Sequence, residues 1–289
     1  MRCAICAAEM VDSDSTRSRS TGRAFFLAHC PDCQFSCVTN PRADFDAIYD
    51  ESYYRGEGVD PLVDYEQEMF DNKTIRQYEW RGVLKAVGSI AGVVQQSAWL
   101  DFGCGLGGFV RFLRGRGFER AYGFDEGYAA SALKEAEIPS LSPGELAQSA
   151  GRFDVVTAIE VLEHAVDPVG MLRTIASVLR PGGLLFVTTG NARPFRDRLS
   201  RWPYVQPDVH VSYFEPETLA RAMKLAGLAP AFPGYVEGWN DIIRYKVLKE
   251  LGVRRGGIVD AVVPWGIVAR IANQRRGVSA QPIGWRVSD

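Results

Sequence analysis

The chain has 289 residues, of which 46% are hydrophobic and 24% charged, with a formal net charge of −2. This length fits one large domain, or a medium domain with a small appendage. The nearly balanced charge gives no broad attraction to nucleic acid or an anionic membrane, so neither partner is expected. The longest apolar candidate, residues 258–272, is interrupted by Asp260, Pro264 and Arg270, and no membrane span is predicted.

Two cysteine pairs with the same spacing stand near the N-terminus. They are Cys3 with Cys6, and Cys30 with Cys33. Pairs of the Cys-x2-Cys type are typical of zinc ribbons, because four thiolates complete the tetrahedral shell of one ion. We therefore predict a module over residues 1–45 that holds a structural Zn²⁺. Within this module, residues 13–20 are predicted as a polar loop and residues 24–28 as a strand.

Other interpretations of these cysteines remain open. One is that the thiols are reduced and bind no metal. A disulfide is less expected, because the N-terminus has no apolar signal-peptide core and indicates a cytoplasmic protein. If one ligand is assigned wrongly, Cys37 is the nearest substitute and His29 is another.

The next segment, residues 46–97, is predicted to be a helical connector. Apolar residues recur at helical spacing after residue 55, which indicates one or two helices that end near Gly92. Tyr53 and Tyr54 lie at the start of this connector.

The segment from residue 100 to residue 109 reads Leu-Asp-Phe-Gly-Cys-Gly-Leu-Gly-Gly-Phe. It joins an apolar strand to a helix through glycines, which allow a tight turn and the close approach of a ligand. Gly103, Gly105 and Gly108 also satisfy the dinucleotide fingerprint, with Asp125 as its ribose-binding acid. Asp101 argues against a pyrophosphate, because a carboxylate there repels phosphate. It suits a ligand whose near end carries an ammonium group, such as S-adenosylmethionine (SAM).

The remaining elements alternate as in a parallel sheet with helices on both faces. The predicted order is a strand at 98–102, a helix at 107–116, a strand at 120–125, a helix at 128–136, a strand edge within 141–146, a strand from 153, a helix around 169–179, a strand at 184–188, a helix from Pro216 to Gly227, a strand near 231, a helical insertion at about 240–277 and a last strand at 283–287. This order predicts an α/β core over residues 98–289, built on a doubly wound, seven-stranded sheet.

Two further motifs accompany the glycine loop. The stretch 153–164 is a buried strand that runs into Glu-Val-Leu-Glu-His, and residues 180–183 read Arg-Pro-Gly-Gly. Over residues 80–235 the chain resembles the class I SAM-dependent methyltransferases, particularly the branch of the ubiquinone-pathway O-methyltransferases. The cysteine-rich head and tyrosine-rich connector resemble those of zinc-bearing sugar C-methyltransferases. The resemblance implies a Rossmann-like fold, SAM as cofactor and a methyl-transfer reaction.

The resemblance also implies roles for individual residues. Asp101 orients the methionine part of SAM, the glycine-loop backbone cradles it, and Asp125 accepts both ribose hydroxyls. Glu145 is the candidate for the adenine edge, although the family's acidic signature is missing there. Tyr54 is a candidate cover for the sulfonium cation, with plain packing as the alternative. The candidate cofactor residues are Tyr54, Asp101, Phe102, Gly103, Cys104, Gly105, Asp125, Glu126, Glu145, Glu160 and Val161.

Methyl transfer requires alignment of donor and acceptor and removal of the acceptor's proton. The candidates for the general base are His164 and His210, with Tyr213 as a candidate helper. The alternative is that both histidines only brace their loops.

The acceptor is predicted to be a small, anionic biosynthetic intermediate. Residues 191–204 hold four arginines and three aromatic side chains, which suit an anionic, ring-containing ligand. O-methylation is favoured over C-methylation of a nucleotide-linked sugar. An RNA methyltransferase is a further alternative, with basic residues at Arg254, Arg255, Arg275 and Arg276. A non-enzymatic SAM sensor is another alternative, and a homodimer is the candidate assembly.

Overall fold

The computed structural model describes residues 1–44, 47–58, 64–232, 234–254, 257–274 and 283–286. Its strands are β1 (Val11–Arg17), β2 (Ala24–His29), β3 (Ser36–Val38), β4 (Trp99–Phe102), β5 (Ala121–Phe124), β6 (Phe153–Ile159), β7 (Leu179–Thr188), β8 (Ser212–Tyr213), β9 (Leu228–Ala231) and β10 (Ile283–Arg286). Its helices are α1 (Glu51–Tyr54), α2 (Tyr65–Phe70), α3 (Arg76–Ala91), α4 (Gly108–Arg114), α5 (Gly127–Glu135), α6 (Pro143–Ala147), α7 (Pro168–Val178), α8 (Pro216–Leu225), α9 (Trp239–Glu250), α10 (Ile258–Val262) and α11 (Trp265–Gln274). Within these ranges no helix is long and apolar enough to cross a membrane.

The core is a six-stranded sheet in the order β5-β4-β6-β7-β10-β9. Strands β5, β4, β6 and β7 are parallel, whereas β10 runs antiparallel between β7 and β9. Alternate residues of the strands pack on opposite faces. Trp99 and Val155 join one apolar cluster with residues of α3, α4 and α9, while Leu100 and Val156 join another with residues of α7 and α8. The predicted α/β class with a parallel sheet is therefore confirmed.

The predicted third strand is reduced to a single bridge. Ser140 pairs in parallel with Gly123 at the outer edge of β5, and the segment that follows is the short helix α6 rather than a strand. Ser142 accepts a hydrogen bond from the Glu145 amide, and the Glu145 carboxylate accepts one from the Ser142 amide. This capping box, with Pro143 in the first turn, favours a helix start over continued strand pairing.

The N-terminal residues form a second sheet in the order β1-β2-β3-β8. The predicted strand at 24–28 is present as β2. The predicted loop at 13–20 is partly wrong, because residues 13–17 belong to β1 and pair antiparallel with β2. Strand β1 lies at the edge of this sheet and its residues are mostly exposed, so polar side chains are accommodated there. Strand β8 lies near the end of the loop that follows β7, and its Ser212 and Tyr213 pair with β3.

The predicted insertion contains α9, α10 and α11, and α9 packs closely on α3. Two glycines, Gly82 on α3 and Gly238 at the N-cap of α9, allow this approach. Arg81 on α3 adds a two-pronged ion pair to Asp241 on α9, with N···O distances of 2.9 and 2.6 Å. The contact brings α9 to the edge of the sheet where the parallel strands end.

We expect Gly238→Ala to destabilise the protein by about 1–3 kcal/mol, as overpacked buried sites do. A Cβ at residue 238 would lie 2.6 Å from the Ala86 amide nitrogen and closer still to the Gly82 carbonyl oxygen. Neither backbone atom can move without separating the helices. Thermal denaturation should show a melting temperature lowered by several degrees. Gly88→Ala is the control, because a Cβ there meets nothing within 4 Å. An unchanged melting temperature for Gly238→Ala would contradict this packing.

Candidate active site

A cavity of about 1250 Å³ opens at the carboxyl ends of the parallel strands. This edge is where ligands bind in doubly wound sheets. The cavity is lined by the glycine loop after β4, by the ends of β5 and β6, by the tyrosine-rich connector and by α9. Twelve of the candidate residues line it: Tyr54, Asp101, Phe102, Gly103, Cys104, Gly105, Asp125, Glu126, Glu160, Val161, His164 and His210.

The glycine loop has a left-handed backbone at its first two glycines, Gly103 and Gly105. Gly103 has φ +71°, and a Cβ there would lie 2.5 Å from a methyl group of Val161. Gly105 has φ +53°, and a Cβ there would lie 3.6 Å from the Tyr54 ring. Larger residues are thus disfavoured by conformation at both positions and also by space at Gly103. The loop therefore keeps its backbone exposed to the cavity beside an aromatic ring.

Two carboxylates flank this loop. Asp101 is buried and accepts a hydrogen bond from the Thr157 hydroxyl at 2.7 Å, and burial raises its pKa to about 7. Asp125 accepts hydrogen bonds from the Gly105 amide at 2.6 Å and the Glu126 amide at 2.8 Å. Burial raises the pKa of Asp125 to about 6, against the effect of these two amides. Both acids lie where a cationic or hydroxyl-rich ligand would offset the cost of burying them.

Tyrosines of the connector cover this side of the cavity. The Tyr53 and Tyr54 rings meet edge to face at 5.2 Å, and Tyr54 stacks on Tyr128 at 5.7 Å. Tyr65 stacks on Tyr53 at 5.8 Å. The electron-rich faces of such rings can attract a cation.

The end of β6 carries a polar cluster whose contacts the sequence did not reveal, with Glu163 fully buried and its other members half-buried. Glu160 has φ +55°, a strained conformation for a residue other than glycine. The Lys246 ammonium on α9 lies 2.9 Å from one Glu160 oxygen, and the Tyr204 hydroxyl lies 2.9 Å from the other. Burial acts to raise the pKa of Glu160, but Lys246 outweighs it and lowers the pKa to about 2. Glu160 therefore stays ionised in the cavity.

Glu163 completes this cluster. It is fully buried, accepts a hydrogen bond from the Thr189 hydroxyl at 2.7 Å, and also contacts the Tyr204 hydroxyl. Burial and the nearby Glu160 charge raise its pKa. Tyr204 lies in the aromatic-rich loop after β7. It contacts two glutamates that lie more than 40 residues earlier in the chain, so no local sequence pattern predicts these contacts.

Both candidate histidines line the cavity, with ring centroids 4.9 Å apart. His164 Nδ1 lies 3.0 Å from the Val209 carbonyl oxygen and 2.7 Å from the Tyr49 hydroxyl, and His210 Nδ1 lies 2.7 Å from the Tyr204 carbonyl oxygen. Carbonyl oxygens only accept, whereas the Tyr49 hydroxyl can also accept, so we assign a proton to each Nδ1 and a lone pair to each Nε2. Burial and the neighbouring His210 lower the pKa of His164 to about 4. A neutral imidazole is therefore expected at residue 164 near pH 7.

Two candidate residues do not line the cavity. Tyr213 is buried in β8, and its hydroxyl donates to the His210 carbonyl oxygen at 2.7 Å. Glu145 is exposed, and its carboxylate accepts the capping hydrogen bond from the Ser142 amide at the start of α6. Tyr213 thus contacts the backbone of a candidate base, and Glu145 stabilises a helix start near the cavity wall.

The four loop arginines are also absent from the cavity lining. Arg196 binds the Glu215 carboxylate through two nitrogens at 2.6 and 2.5 Å, and Arg193 contacts the same carboxylate at 3.2 Å. The charges of Arg193 and Arg196 are thus neutralised at the start of α8. The cations that line the cavity are Arg19, Arg76, Lys246 and Lys249.

The four predicted metal-binding thiols lie together at the N-terminus. The sulfur atoms of Cys3 and Cys33 are 3.5 Å apart, and those of Cys6 and Cys30 are 3.4 Å apart. All four lie within 4.8 Å of one another. Tetrahedral zinc with bonds of about 2.3 Å separates its sulfur ligands by about 3.8 Å, so the cluster has the dimensions of a zinc site.

The two substitute ligands lie outside this cluster. The Cys37 sulfur is 4.0 Å from that of Met10, and His29 Nδ1 is 3.0 Å from the Ser36 hydroxyl. Burial raises the pKa of Cys37 to about 12, which keeps it a thiol.

A family model described as a methyltransferase domain matches residues 49–231. The ubiquinone biosynthesis O-methyltransferase of Bordetella avium is 31% identical over 168 residues, covering 51% of this chain and 68% of that protein. The enzyme of the same name from Marinobacter nauticus is 39% identical over 109 residues, covering 33% of this chain and 44% of that protein. The chain thus matches less than half the length of the Marinobacter protein.

A solved structure has the same fold. It is a chain from the complex of the Haloferax volcanii Trm112 methyltransferase activator with a methyltransferase. The two chains superpose with a TM-score of 0.52 at 17% identity, over 86% of this chain and 100% of the other. The family model covers more than half of this chain and includes the glycine loop, Asp125 and the end of β6. The chain therefore belongs to the SAM-dependent methyltransferases.

Proposed function

We propose that the protein methylates a hydroxyl group on a small aromatic biosynthetic intermediate. The observation that carries this proposal is a column of rings along the cavity wall: Phe195, Trp202, Tyr204 and His210. Successive centroids are 5.5, 4.7 and 4.4 Å apart, with interplanar angles of 9°, 23° and 32°. Such a column suits a planar acceptor, since aromatic rings prefer stacked or edge-on contact. Similarity to ubiquinone biosynthesis O-methyltransferases supports an oxygen acceptor.

The residues around the glycine loop fit SAM. Its sulfonium supplies a methyl group that a nucleophile can take directly. Asp101 and the Gly103–Gly105 backbone would hold the amino-acid end, and Asp125 would accept the ribose hydroxyls. The tyrosine cover would exclude water from the transferred group.

We also propose that one of the two histidines removes the acceptor's proton. Each Nδ1 donates to a backbone carbonyl, which fixes the ring and leaves Nε2 as the basic atom. Glu163 lies beside both rings, with one ligand atom from each of the three residues within 4.8 Å of the others. Its negative charge would favour the protonated imidazole that forms.

The test uses His164→Asn and His210→Asn, because the asparagine amide can replace Nδ1–H but offers no Nε2. With catechol and 3,4-dihydroxybenzoate as acceptors, one variant should lose about 100-fold or more in kcat. Its affinity for S-adenosylhomocysteine should stay within about twofold, which separates a lost base from a lost cofactor site. Near-full turnover by both variants would exclude a histidine base. If the unsubstituted protein methylates neither compound, the aromatic-acceptor proposal fails.

We also propose that the acceptor is anionic, and that a cation other than the loop arginines binds it. Arg193 and Arg196 are engaged by Glu215 and none of the four loop arginines lines the cavity, whereas Arg19 is exposed and lines it from the turn between β1 and β2. Comparing KM for 3,4-dihydroxybenzoate and catechol in Arg19→Ala tests this. The substitution should raise KM for 3,4-dihydroxybenzoate, which carries a carboxylate, and leave KM for catechol unchanged.

A nucleotide-linked sugar is the second candidate acceptor, because a cysteine-rich head accompanies the methyltransferase core. We further propose that the four cysteines of the cluster hold one structural Zn²⁺. A cytoplasmic location and a homodimer remain predictions from the sequence. Of the basic residues behind the RNA alternative, Arg255, Arg275 and Arg276 lie outside the described residues.

A further inference from the structure

Besides Gln206 Oε1, two buried polar atoms of residues that line the cavity have no hydrogen-bond partner among the described residues. They are Oε1 of Glu79 on α3 and the hydroxyl of Tyr245 on α9. The two residues are only 1% and 3% exposed, respectively. Buried polar atoms are nearly always paired, because leaving one unpaired costs its full desolvation energy. Both atoms therefore point to a ligand that supplies the missing partners.

The two atoms belong to one small region. Arg76 joins them: its guanidinium binds the other Glu79 oxygen at 2.5 Å and lies 4.6 Å from the centre of the Tyr245 ring. A second carboxylate, Glu68, binds Arg76 at 2.7 Å. Glu79 is thus held by one oxygen while the other remains without a partner.

This region adjoins the glycine loop. A Cβ at Gly108, the first residue of α4, would lie 2.6 Å from the ring of Trp80, the neighbour of Glu79. Burial is the main cause of the raised pKa of Asp101, and the negative charges of Asp125 and Glu79 add to it. Glu79 therefore lies within electrostatic reach of the acid assigned to the methionine end of SAM.

The unpaired atoms have complementary chemistry. The Glu79 oxygen can only accept, and the Tyr245 hydroxyl stays protonated and able to donate, because burial raises its pKa. An amino-acid group offers an ammonium donor and a carboxylate acceptor together. We infer that Glu79 accepts from the ammonium group of SAM and that Tyr245 donates to its carboxylate. The helical insertion thus contributes a residue to the cofactor site.

The test compares two ligands by calorimetry. S-adenosylhomocysteine carries the amino-acid end, whereas 5′-methylthioadenosine keeps the adenosine and sulfur without it. Glu79→Gln and Tyr245→Phe should each weaken S-adenosylhomocysteine binding by about 10-fold or more. Binding of 5′-methylthioadenosine should change by less than about twofold, because its contacts lie elsewhere.

Glu68→Gln is the matched control, since it also removes a carboxylate from Arg76 but leaves the unpaired Glu79 oxygen in place. It should leave both affinities nearly unchanged. Equal losses in Glu68→Gln and Glu79→Gln would reduce Glu79 to a support for Arg76, and equal losses for both ligands would mean general damage to the site. If Glu79→Gln does not fold, Tyr245→Phe, which keeps the ring, decides alone. Unchanged affinities in Tyr245→Phe would overturn the inference.

Discussion

Asp125→Ala is expected to reduce affinity for S-adenosylhomocysteine by about 100-fold or more. Two ribose hydroxyls would lose a charged acceptor, and hydrogen bonds to charged groups contribute about 1.5–3 kcal/mol each. The substitution also removes the acceptor for the Gly105 amide, so the glycine loop loses a brace. Isothermal titration calorimetry measures the change directly.

The control for this prediction is Glu119→Ala. Glu119 is an exposed carboxylate just before β5, at the opposite end of the strand from Asp125, and its loss should leave affinity unchanged. Because the pKa of Asp125 is raised to about 6, the unsubstituted protein should also bind less well as the pH falls below 6. A loss of under threefold in Asp125→Ala would contradict the ribose assignment.

Replacing Cys3 and Cys30 together by serine is expected to remove bound zinc and unfold the head of the protein. Structural zinc sites contribute about 10–16 kcal/mol to folding in zinc-finger peptides, far more than a small β-sheet supplies. Metal analysis should fall from about one Zn²⁺ per chain to none. Limited proteolysis should then cut within residues 1–44.

Cys37→Ala is the matched control, since Cys37 is buried in the same sheet but lies outside the thiol cluster. It should keep zinc and protease resistance. Purified protein that is fully folded without any metal would rule out the zinc assignment.

Local signals were enough to predict the core of the fold. Each of these signals is contained in a short stretch of sequence: the apolar runs of β4 and β6, the glycines at 103–107, and Pro216 at the start of α8. Each corresponding element is present in the structure as predicted. Two local interpretations were wrong or incomplete. The capping box at Ser142 outweighed strand propensity, and the polar residues of β1 became an edge strand because β2 supplied their backbone partners.

The polar contacts of the site could not be predicted in the same way. Glu160 meets Tyr204 and Lys246, which lie 44 and 86 residues away along the chain. Nothing in the local pattern of Lys246 distinguishes it from other charged residues of an amphipathic helix. Arg193 and Arg196 show the converse case, because their partner Glu215 lies 22 and 19 residues away, at the N-cap of α8. Charge alone does not identify a ligand site until its partners are known.

The pairing of β8 with β3 has a consequence for how this protein could be shortened. A chain begun after the cysteine-rich head would leave the Ser212–Tyr213 backbone without its neighbouring strand, two residues beyond His210. Bare strand edges recruit other chains, so such a fragment should self-associate and misplace that histidine. Isolating the catalytic half by truncation would therefore yield aggregates, and metal-site substitutions that unfold the head should expose the same strand edge.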